Sequence, residues 1–221
     1  MPARKRKIGL FDGTKVYIKK TDYKEDEILF KGRRDGGYYN FTKPNATDLK
    51  VLNSLAAIGG LGKFDESALE KALSGRIASV SATVSNISDD VAGSTTKEDL
   101  ETMLQLLYLN FTAVRADKDA FQAWQERTIS QIEASKANPL SFLGDSVTRY
   151  IFPNNPERYP LSVEEVKSVN YDRVLQLFRS RFANARGFEF YFVGNVDEAT
   201  LRPLVEQYIA SLPNTPPPQG A

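Results

Sequence analysis

The stretch Phe190–Asn214, FYFVGNVDEATLRPLVEQYIASLPN, contains a strand, a turn and a helix in immediate succession. The aromatic and apolar run Phe188–Val193 predicts a strand that is buried on both faces. Asp197 is placed to cap the following helix, and a proline ends it. Because Pro203 has no amide hydrogen, we expect regular helical hydrogen bonding to begin only there. This stretch therefore predicts a domain in which a helix packs back onto a sheet.

Two pairs of strands are predicted upstream of this stretch. The segments Thr14–Lys20 and Glu27–Lys31 alternate between apolar and polar residues, which is typical of half-buried strands, and the polar segment between them predicts a hairpin loop. The run Arg76–Asn86 predicts a longer strand. Its expected antiparallel partner is Val91–Ser94, across a polar turn at Ser88–Asp90. The sheet is therefore expected to be mostly antiparallel.

Helices are predicted where apolar residues recur every three or four positions after a residue that can cap a helix. The expected capping residues are Thr47 or Asp48, Asp65, Thr95 with Glu98, and Ser162 with Glu165. Further helices are expected over Lys118–Lys136 and around Phe142–Tyr150. Because strands and helices are grouped along the chain, the sequence predicts an α+β fold with helices packed on one face of the sheet.

The composition is that of a globular protein. Of 221 residues, 41% are hydrophobic and 26% are charged, which is enough apolar material for a sizeable core. The 29 basic and 28 acidic residues nearly cancel, so charge gives no support for a nucleic-acid partner. No apolar run reaches the ~18 residues of a membrane span, so we expect no membrane insertion. We divide the chain into a basic entry tail at 1–13, a single α+β unit at 14–213 and a proline-rich linker at 214–221.

The residue types most used in metal and acid–base chemistry are missing. The chain has no histidine and no cysteine. It therefore lacks the commonest general base, the commonest nitrogen ligand of zinc and any thiolate nucleophile. We expect no catalytic, cofactor-binding or metal-binding residue within it.

Several segments have residue types found in binding sites, but each has a simpler interpretation. Gly59–Gly62 is glycine-rich like a phosphate loop, yet it follows a helix and lacks the Walker lysine, which favours a helix stop. Gly93–Lys97 precedes an expected helix N-terminus, where anions can bind, but capping explains its hydroxyl groups. Asp89 with Asp90, and the run Glu25–Glu27, offer carboxylates for a hard cation. Neither has the spacing of a calcium loop, which favours solvated loops.

The order of elements and five phrases resemble one unit of the pitrilysin/insulinase family of zinc peptidases. The phrases occur in the family's order and cover most of the chain, although none is specific by itself. They are FDGTKVYIKKTDYKEDEILF (Phe11–Phe30), GGLGKFDESALEKALSG (Gly59–Gly75), KEDLETMLQLLYLNFT (Lys97–Thr112), RYPLSVEEVKSVNYD (Arg158–Asp172) and FYFVGNVDEATLRPLVEQYIASLP (Phe190–Pro213). The resemblance implies the architecture of a metallopeptidase unit, which is related to the ferredoxin-like fold.

Members of this family resemble a clamshell of four similar units, and the first unit carries zinc. There the inverted motif His-x-x-Glu-His lies on the helix after the second strand; the histidines bind zinc and the glutamate activates water. The matching helix here, roughly Asp48–Ile58, has no histidine and no glutamate. The chain therefore resembles a non-catalytic unit, and Gly59–Gly62 best suits the third of four. The Arg…Tyr substrate clamp of the family's fourth unit has no clear copy in this chain.

The resemblance implies that this chain is a non-catalytic domain of a longer zinc metalloendopeptidase and is inactive alone. We expect it to help form a closed substrate chamber and the interfaces between units, with zinc in an upstream unit. Its expected partners are the other units of the same polypeptide, which an exposed apolar patch would contact, and unfolded peptides would be the substrates of the whole. Two alternatives stay open: a domain of a non-peptidase scaffold with the same fold, and a stand-alone binding module. The residues do not determine the compartment, although the type of relative favours a bacterial periplasmic or secreted setting.

Overall fold

The computed structural model of the chain describes residues 6–9, 14–22, 24, 26–41 and 45–214. Within these ranges the structure contains a sheet, eight α-helices and two short 3-10 helices. The strands are β1 Arg6–Gly9, β2 Lys15–Lys20, β3 Ile28–Asp35, β4 Ala78–Val84, β5 Ser88–Thr95 and β6 Glu189–Gly194. The helices are α1 Ala46–Ala57, α2 Glu66–Ala72, α3 Leu100–Thr112, α4 Lys118–Lys136, α5 Pro139–Ile151, α6 Val163–Ser168, α7 Tyr171–Phe182 and α8 Glu198–Tyr208.

The six described strands form one sheet in the order β1-β2-β6-β3-β5-β4. The last strand in the chain, β6, lies between β2 and β3. It runs parallel to β2, with Val16 opposite Phe190, and antiparallel to β3, with Phe30 opposite Phe192. The other neighbouring pairs are antiparallel, which confirms the mostly antiparallel sheet. The hairpin predicted between β2 and β3 is wrong, because β6 occupies the place between them and the polar loop crosses over it.

The core lies between one face of the sheet and the helices. Phe30, Phe190 and Phe192 point from adjacent strands to this side and are almost completely buried. Each such burial removes a large side chain from water, which stabilises the fold by about 1.5–3 kcal/mol. The helices supply the opposing side chains, among them Leu52 and Phe178. The predicted arrangement of helices on one sheet face is therefore confirmed.

The opposite face of the sheet is open, and β6 shows this most clearly. Phe190 and Phe192 are buried, whereas the alternating residues Tyr191 and Val193 are half-buried. The prediction that this strand is buried on both faces is therefore wrong. On this second face the Tyr191 ring stacks on Tyr17 of the neighbouring strand, with ring centres 5.0 Å apart.

Three of the predicted helix starts are confirmed. Asp65 accepts a hydrogen bond from the backbone N–H of Ala68, and Asp197 caps α8 in the same way. The capping box is complete: the Glu165 amide donates to Ser162 Oγ at 3.1 Å, and the Ser162 amide donates to Glu165 Oε2 at 2.8 Å. These contacts are local, so the sequence pattern predicts them directly.

Three other predictions about helix starts are wrong. Asn45, rather than Thr47 or Asp48, caps α1, because its side chain accepts from the Asp48 amide at 2.6 Å. Thr95 ends β5, so it forms no capping box with Glu98; pairing with β4 extends the strand through this residue.

The third correction concerns α8, which begins at Glu198 and runs through Pro203. The Leu201 amide already donates to the Asp197 carbonyl at 3.1 Å, so regular hydrogen bonding starts before the proline. The carbonyl that loses its partner to Pro203 belongs to Ala199, an exposed residue, so the helix tolerates the proline at a position open to solvent.

The basic segment at the start of the chain was predicted to be a solvated tail, but part of it belongs to the sheet. It contributes β1, which pairs antiparallel with β2, with Arg6 opposite Ile18. Residues 215–221 of the predicted proline-rich linker lie outside the described residues. The described fold therefore reaches upstream of residue 14, where the α+β unit was predicted to begin.

Candidate functional site

Helix α1 lies after β3, in the place of the zinc-binding helix of the family that the sequence resembles. It buries Val51, Leu52 and Leu55 completely in the core. Its carboxylate, Asp48, has Oδ2 2.9 Å from Arg173 Nε. Burial raises the pKa of Asp48, and the charge of Arg173 opposes that rise. One carboxylate engaged in an ion pair, with no histidine on the helix, does not fit a zinc ion.

No other part of the described chain supplies a metal-binding cluster. Groups of three or more histidine, cysteine, aspartate or glutamate side chains that could hold a metal ion are absent from the described residues. The expectation that this chain binds no zinc stays a prediction, which elemental analysis can test. Among the described helices, none combines the length and apolar character that crossing a membrane requires.

The glycine-rich and acidic segments have structural roles. Gly60 follows α1 and has a positive φ of 78°, which is incompatible with continuing the helix. The next residue, Leu61, forms isolated β-bridges to Phe64 and Val114. The prediction that this glycine-rich segment stops a helix is therefore confirmed. Gly93–Thr95 belongs to β5, so these residues do not lie at a helix N-terminus. Glu27 forms an exposed ion pair with Lys24, and Glu25 lies outside the described residues.

Asp89 is completely buried, although a polar turn and a solvated loop were predicted for Ser88–Asp90. These three residues belong to β5. Asp89 Oδ2 accepts from Arg34 Nη2 at 2.8 Å and from Arg181 Nη2 at 2.6 Å. The two guanidinium groups fill the positions that a cation would need, so this cluster excludes the metal-site interpretation. Sequence reasoning missed it because its members lie on β3, β5 and α7.

The arginines of this cluster are held by further contacts. Arg34 donates to the carbonyl of Asn184 at 2.7 Å, and its guanidinium lies 4.7 Å from the centre of the Phe188 ring. Burial lowers the pKa of Arg34, while its hydrogen bond to Asp89 opposes that change. The cluster joins the sheet to α7 and to the loop that leads into β6. It is a structural clasp rather than a reactive site, because the one carboxylate and both guanidinium groups are engaged in hydrogen bonds within the fold.

The most unusual surface of the structure is on α5. Phe142 is 75% exposed and Tyr150 is 87% exposed, and no residue of this 13-residue helix is buried. We call the exposed apolar set the α5 surface. It consists of Leu140, Phe142, Leu143, Val147, Tyr150, Ile151 and, directly after the helix, Phe152. The predicted apolar stripe of this helix is present, but much of it faces solvent.

The sequence fixes the start of α5 locally. Asn138 accepts from the Leu140 amide at 3.0 Å, and Pro139 stands at the first helical position, where its missing amide costs nothing. A groove of about 710 Å³ runs between α5, α4 and the segment before α6, with Ile132 and Leu161 in its walls. This geometry can bind an apolar surface of another polypeptide, but it brings together no groups for catalysis.

Comparison with known proteins identifies zinc proteases as similar to this chain. No protein-family model matches this chain. A curated protein of Arabidopsis thaliana described as "Zinc protease PQQL-like" is 24% identical over 212 residues, which are 96% of this chain and 20% of that protein.

Solved structures of peptidases share the fold, among them these three. The periplasmic protease PqqL of Escherichia coli matches with a TM-score of 0.76 and 18% identity, over 96% of this chain and 23% of that one. A protease from Helicobacter pylori has a TM-score of 0.72 and 14% identity, over 98% of this chain and 52% of that one. A peptidase M16 inactive domain from Pseudomonas fluorescens has a TM-score of 0.69 and 14% identity, over 96% and 52%.

The chain thus spans about a fifth of the curated relative and about a quarter of PqqL. The likeness in fold extends over nearly the whole chain, while the identities are low. The chain therefore has, as its sequence phrases predicted, the α+β fold of one unit of the pitrilysin/insulinase-like M16 peptidases.

Proposed function

We propose that this chain is a non-catalytic unit of a pitrilysin/insulinase-like zinc metallopeptidase, which helps to form the substrate chamber and the interfaces between units. The observation that carries the proposal is the M16 unit fold in a chain with no histidine and no cysteine. The helix in the place of the zinc-binding helix is packed into the core and ion-paired through Asp48. Another unit would supply the zinc and the activated water.

The α5 surface supports a role at an interface between units. Exposed apolar patches larger than a few hundred Å² mark interaction sites in soluble proteins. Interfaces between domains of one chain bury about 600–1,500 Å². The Arabidopsis relative and PqqL are about four to five times as long as the matched segment, so they contain further polypeptide that can cover such a surface. In this proposal, a neighbouring unit packs on Phe142 and Tyr150.

In the first experiment, the gene that encodes this chain is sequenced in full and its full-length protein product is purified. The proposal expects a His-x-x-Glu-His motif on the corresponding helix of another unit. It also expects the full product to cleave an internally quenched unstructured peptide, with loss of cleavage in a chelator such as 1,10-phenanthroline. A full product that lacks the motif and the activity would favour the non-peptidase scaffold instead.

The second experiment uses the 221-residue chain alone. Elemental analysis after purification without chelator should find far less than one zinc per chain, because the described donors do not fit zinc. The chain should not cleave the same peptide. Stoichiometric zinc would contradict the proposal, and so would cleavage that co-purifies with the chain and is lost on substitution of one of its residues.

A further inference from the structure

Strand β4 forms one edge of the sheet, and no other described strand pairs with its outer side. Its seven residues, ASVSATV, include no charged residue and no proline. Natural edge strands usually carry lysine, proline or a bulge, because their free peptide groups otherwise pair with another chain. The absence of these features makes β4 a candidate for pairing.

The hydrogen bonds around β4 show which peptide groups point outward. The Ser85 amide donates to the Ser88 carbonyl at 2.8 Å and closes the β4–β5 turn. In an antiparallel pair, alternate residues bond to the neighbouring strand. Thr83, Ser81 and Ser79 therefore bond to β5, and the residues between them direct their amide and carbonyl groups away from it.

The side chain of Asn53 on α1 confirms this alternation at the end of the strand. Its Oδ1 accepts from the Val84 amide at 2.8 Å, and its Nδ2 donates to the Val84 carbonyl at 3.0 Å. The amide side chain thus takes the place of a neighbouring strand for one residue. Ala78, Val80 and Ala82 have the same outward orientation, and within the described part of the chain no backbone or side-chain group bonds to them on that side.

Both ends of this open edge carry exposed apolar side chains. Ile77, directly before β4, is 65% exposed, and Ile87, in the turn after it, is 60% exposed. Tyr39 lies near the same turn, because its amide donates to the Asn86 carbonyl at 3.3 Å. A strand added along β4 would therefore meet apolar contacts at each end of the open peptide groups.

We propose that two copies of this chain pair through β4, antiparallel and across a twofold axis at Val80. This register places Val80 opposite the partner's Val80, and Ala78 opposite the partner's Ala82. It forms about six backbone hydrogen bonds, two for each of three facing pairs. The uncharged strand brings no like charges together, and the Ile77 end of one copy lies beside the Ile87 end of the other.

The outward peptide groups recur at every second residue around Val80, so the edge is complementary to itself. This property favours a second copy over an unrelated extended peptide. One pair of short strands buries less area than the roughly 1,200–2,000 Å² of stable interfaces, so the dimer is weak and depends on concentration. The proposal does not depend on the proposed function, since it rests on β4 alone.

Sedimentation equilibrium of the 221-residue chain tests the proposal. The mean mass should rise with concentration from 24.7 kDa toward twice that value. Val80→Pro removes one outward amide from each copy and leaves the bonds to β5 intact, because proline is tolerated on an edge strand. It should weaken the dimer about tenfold or more, while Val80→Thr, which keeps the amide, should not.

Two further measurements separate this proposal from other causes of association. Phe142→Ser with Tyr150→Ser should leave the β4 dimer intact, because α5 is not part of it. In the unchanged chain, hydrogen exchange of the Val80 and Ala82 amides should slow as concentration rises, even if the proline variant fails to fold. A monomer at every concentration would overturn the proposal, as would exchange that does not respond to concentration, or association lost only in the α5 variant.

Discussion

The carboxylate of Asp89 lies 2.6 Å from the guanidinium of Arg181, although 92 residues separate them in the sequence. Asp89 also binds Arg34 and is completely buried, so two arginines share one carboxylate as their counter-charge inside the fold. We predict that Asp89→Asn lowers the free energy of unfolding by about 3–5 kcal/mol, since both guanidinium groups lose their counter-charge. Urea denaturation at neutral pH measures this change.

Asp90→Asn is the matched control for this prediction. Asp90 lies 3.8 Å from Lys31 and 4.0 Å from Arg33, and both basic side chains are about half exposed. The Asp90 side chain is only 18% exposed, but pairs with half-exposed basic partners contribute about 0–1 kcal/mol, and asparagine keeps an oxygen that can accept from Ser88 Oγ. Equal losses of stability in the two variants would contradict the buried clasp.

Asp99 should make the unfolding free energy depend on pH. Its carboxylate accepts from the Ile77 amide at 2.7 Å and pairs with Arg76 at 3.0 Å, and these contacts lower the pKa of Asp99. A group with a lower pKa in the folded state stabilises the fold above its unfolded pKa, and this stabilisation is lost as pH falls through the folded value. Asp99→Asn should therefore reduce the difference in unfolding free energy between about pH 7 and pH 3.

Asp48 should affect the pH dependence of the unfolding free energy in the opposite direction to Asp99. Burial raises the pKa of Asp48, so its ionisation opposes folding as pH rises through the folded value. Asp48→Asn should therefore increase the same difference between about pH 7 and pH 3. Changes of the same sign in the two variants would show that these contacts do not set the pH dependence.

Gly194 should tolerate no side chain. It has a φ of 148°, and a Cβ atom there would overlap the carbonyl oxygen of Glu27. We predict that Gly194→Ala lowers the free energy of unfolding by about 1–3 kcal/mol. Gly144→Ala is the control: this glycine lies inside α5 with no atom near the added Cβ, so the change should stabilise by about 0.5–1 kcal/mol. A loss in both variants would point to a general effect of alanine.

The α5 surface should be dispensable for folding of this chain. Phe142→Ser with Tyr150→Ser should change the free energy of unfolding by no more than about 0.5 kcal/mol for each substitution, because both side chains are exposed. Binding of the dye ANS should fall. In contrast, Phe121→Ser should destabilise the fold, since its ring stacks on Tyr171 at 4.8 Å. A large loss of stability in the α5 variant would mean that this helix is part of the core.

Local features were predictable because their partners are neighbours in the sequence. The Ser162–Glu165 capping box and the Asp197 cap involve residues three positions apart, so the residue pattern contains the whole interaction. The capping-box pattern occurs at both Thr95 and Ser162, but only Ser162 forms the capping box. The same capping pattern is overridden at Thr95, because this residue pairs with Ala78 in the sheet.

Long-range features could not be read from local patterns. The position of β6 depends on pairing between distant residues, such as Val16 with Phe190 and Phe30 with Phe192. Asp89 lies in a polar segment whose residue types are typical of a turn. Its burial depends on Arg34 of β3 and Arg181 of α7, which are distant in the sequence. The stripe on α5 was predicted, but periodicity does not tell whether a stripe meets a partner within the chain. The missing zinc ligands were evident from composition, because no fold can supply absent side chains.

The central place of β6 also has a consequence for biosynthesis. Without β6, the described strands form two halves, β1–β2 and β3–β5–β4, which are not paired with each other. At ribosomal rates, roughly 10–35 seconds pass between synthesis of β2 and synthesis of β6, and during this time both halves expose a strand edge. A nascent chain that stops before Glu189 keeps both edges open, so premature termination yields an aggregation-prone fragment rather than a smaller domain.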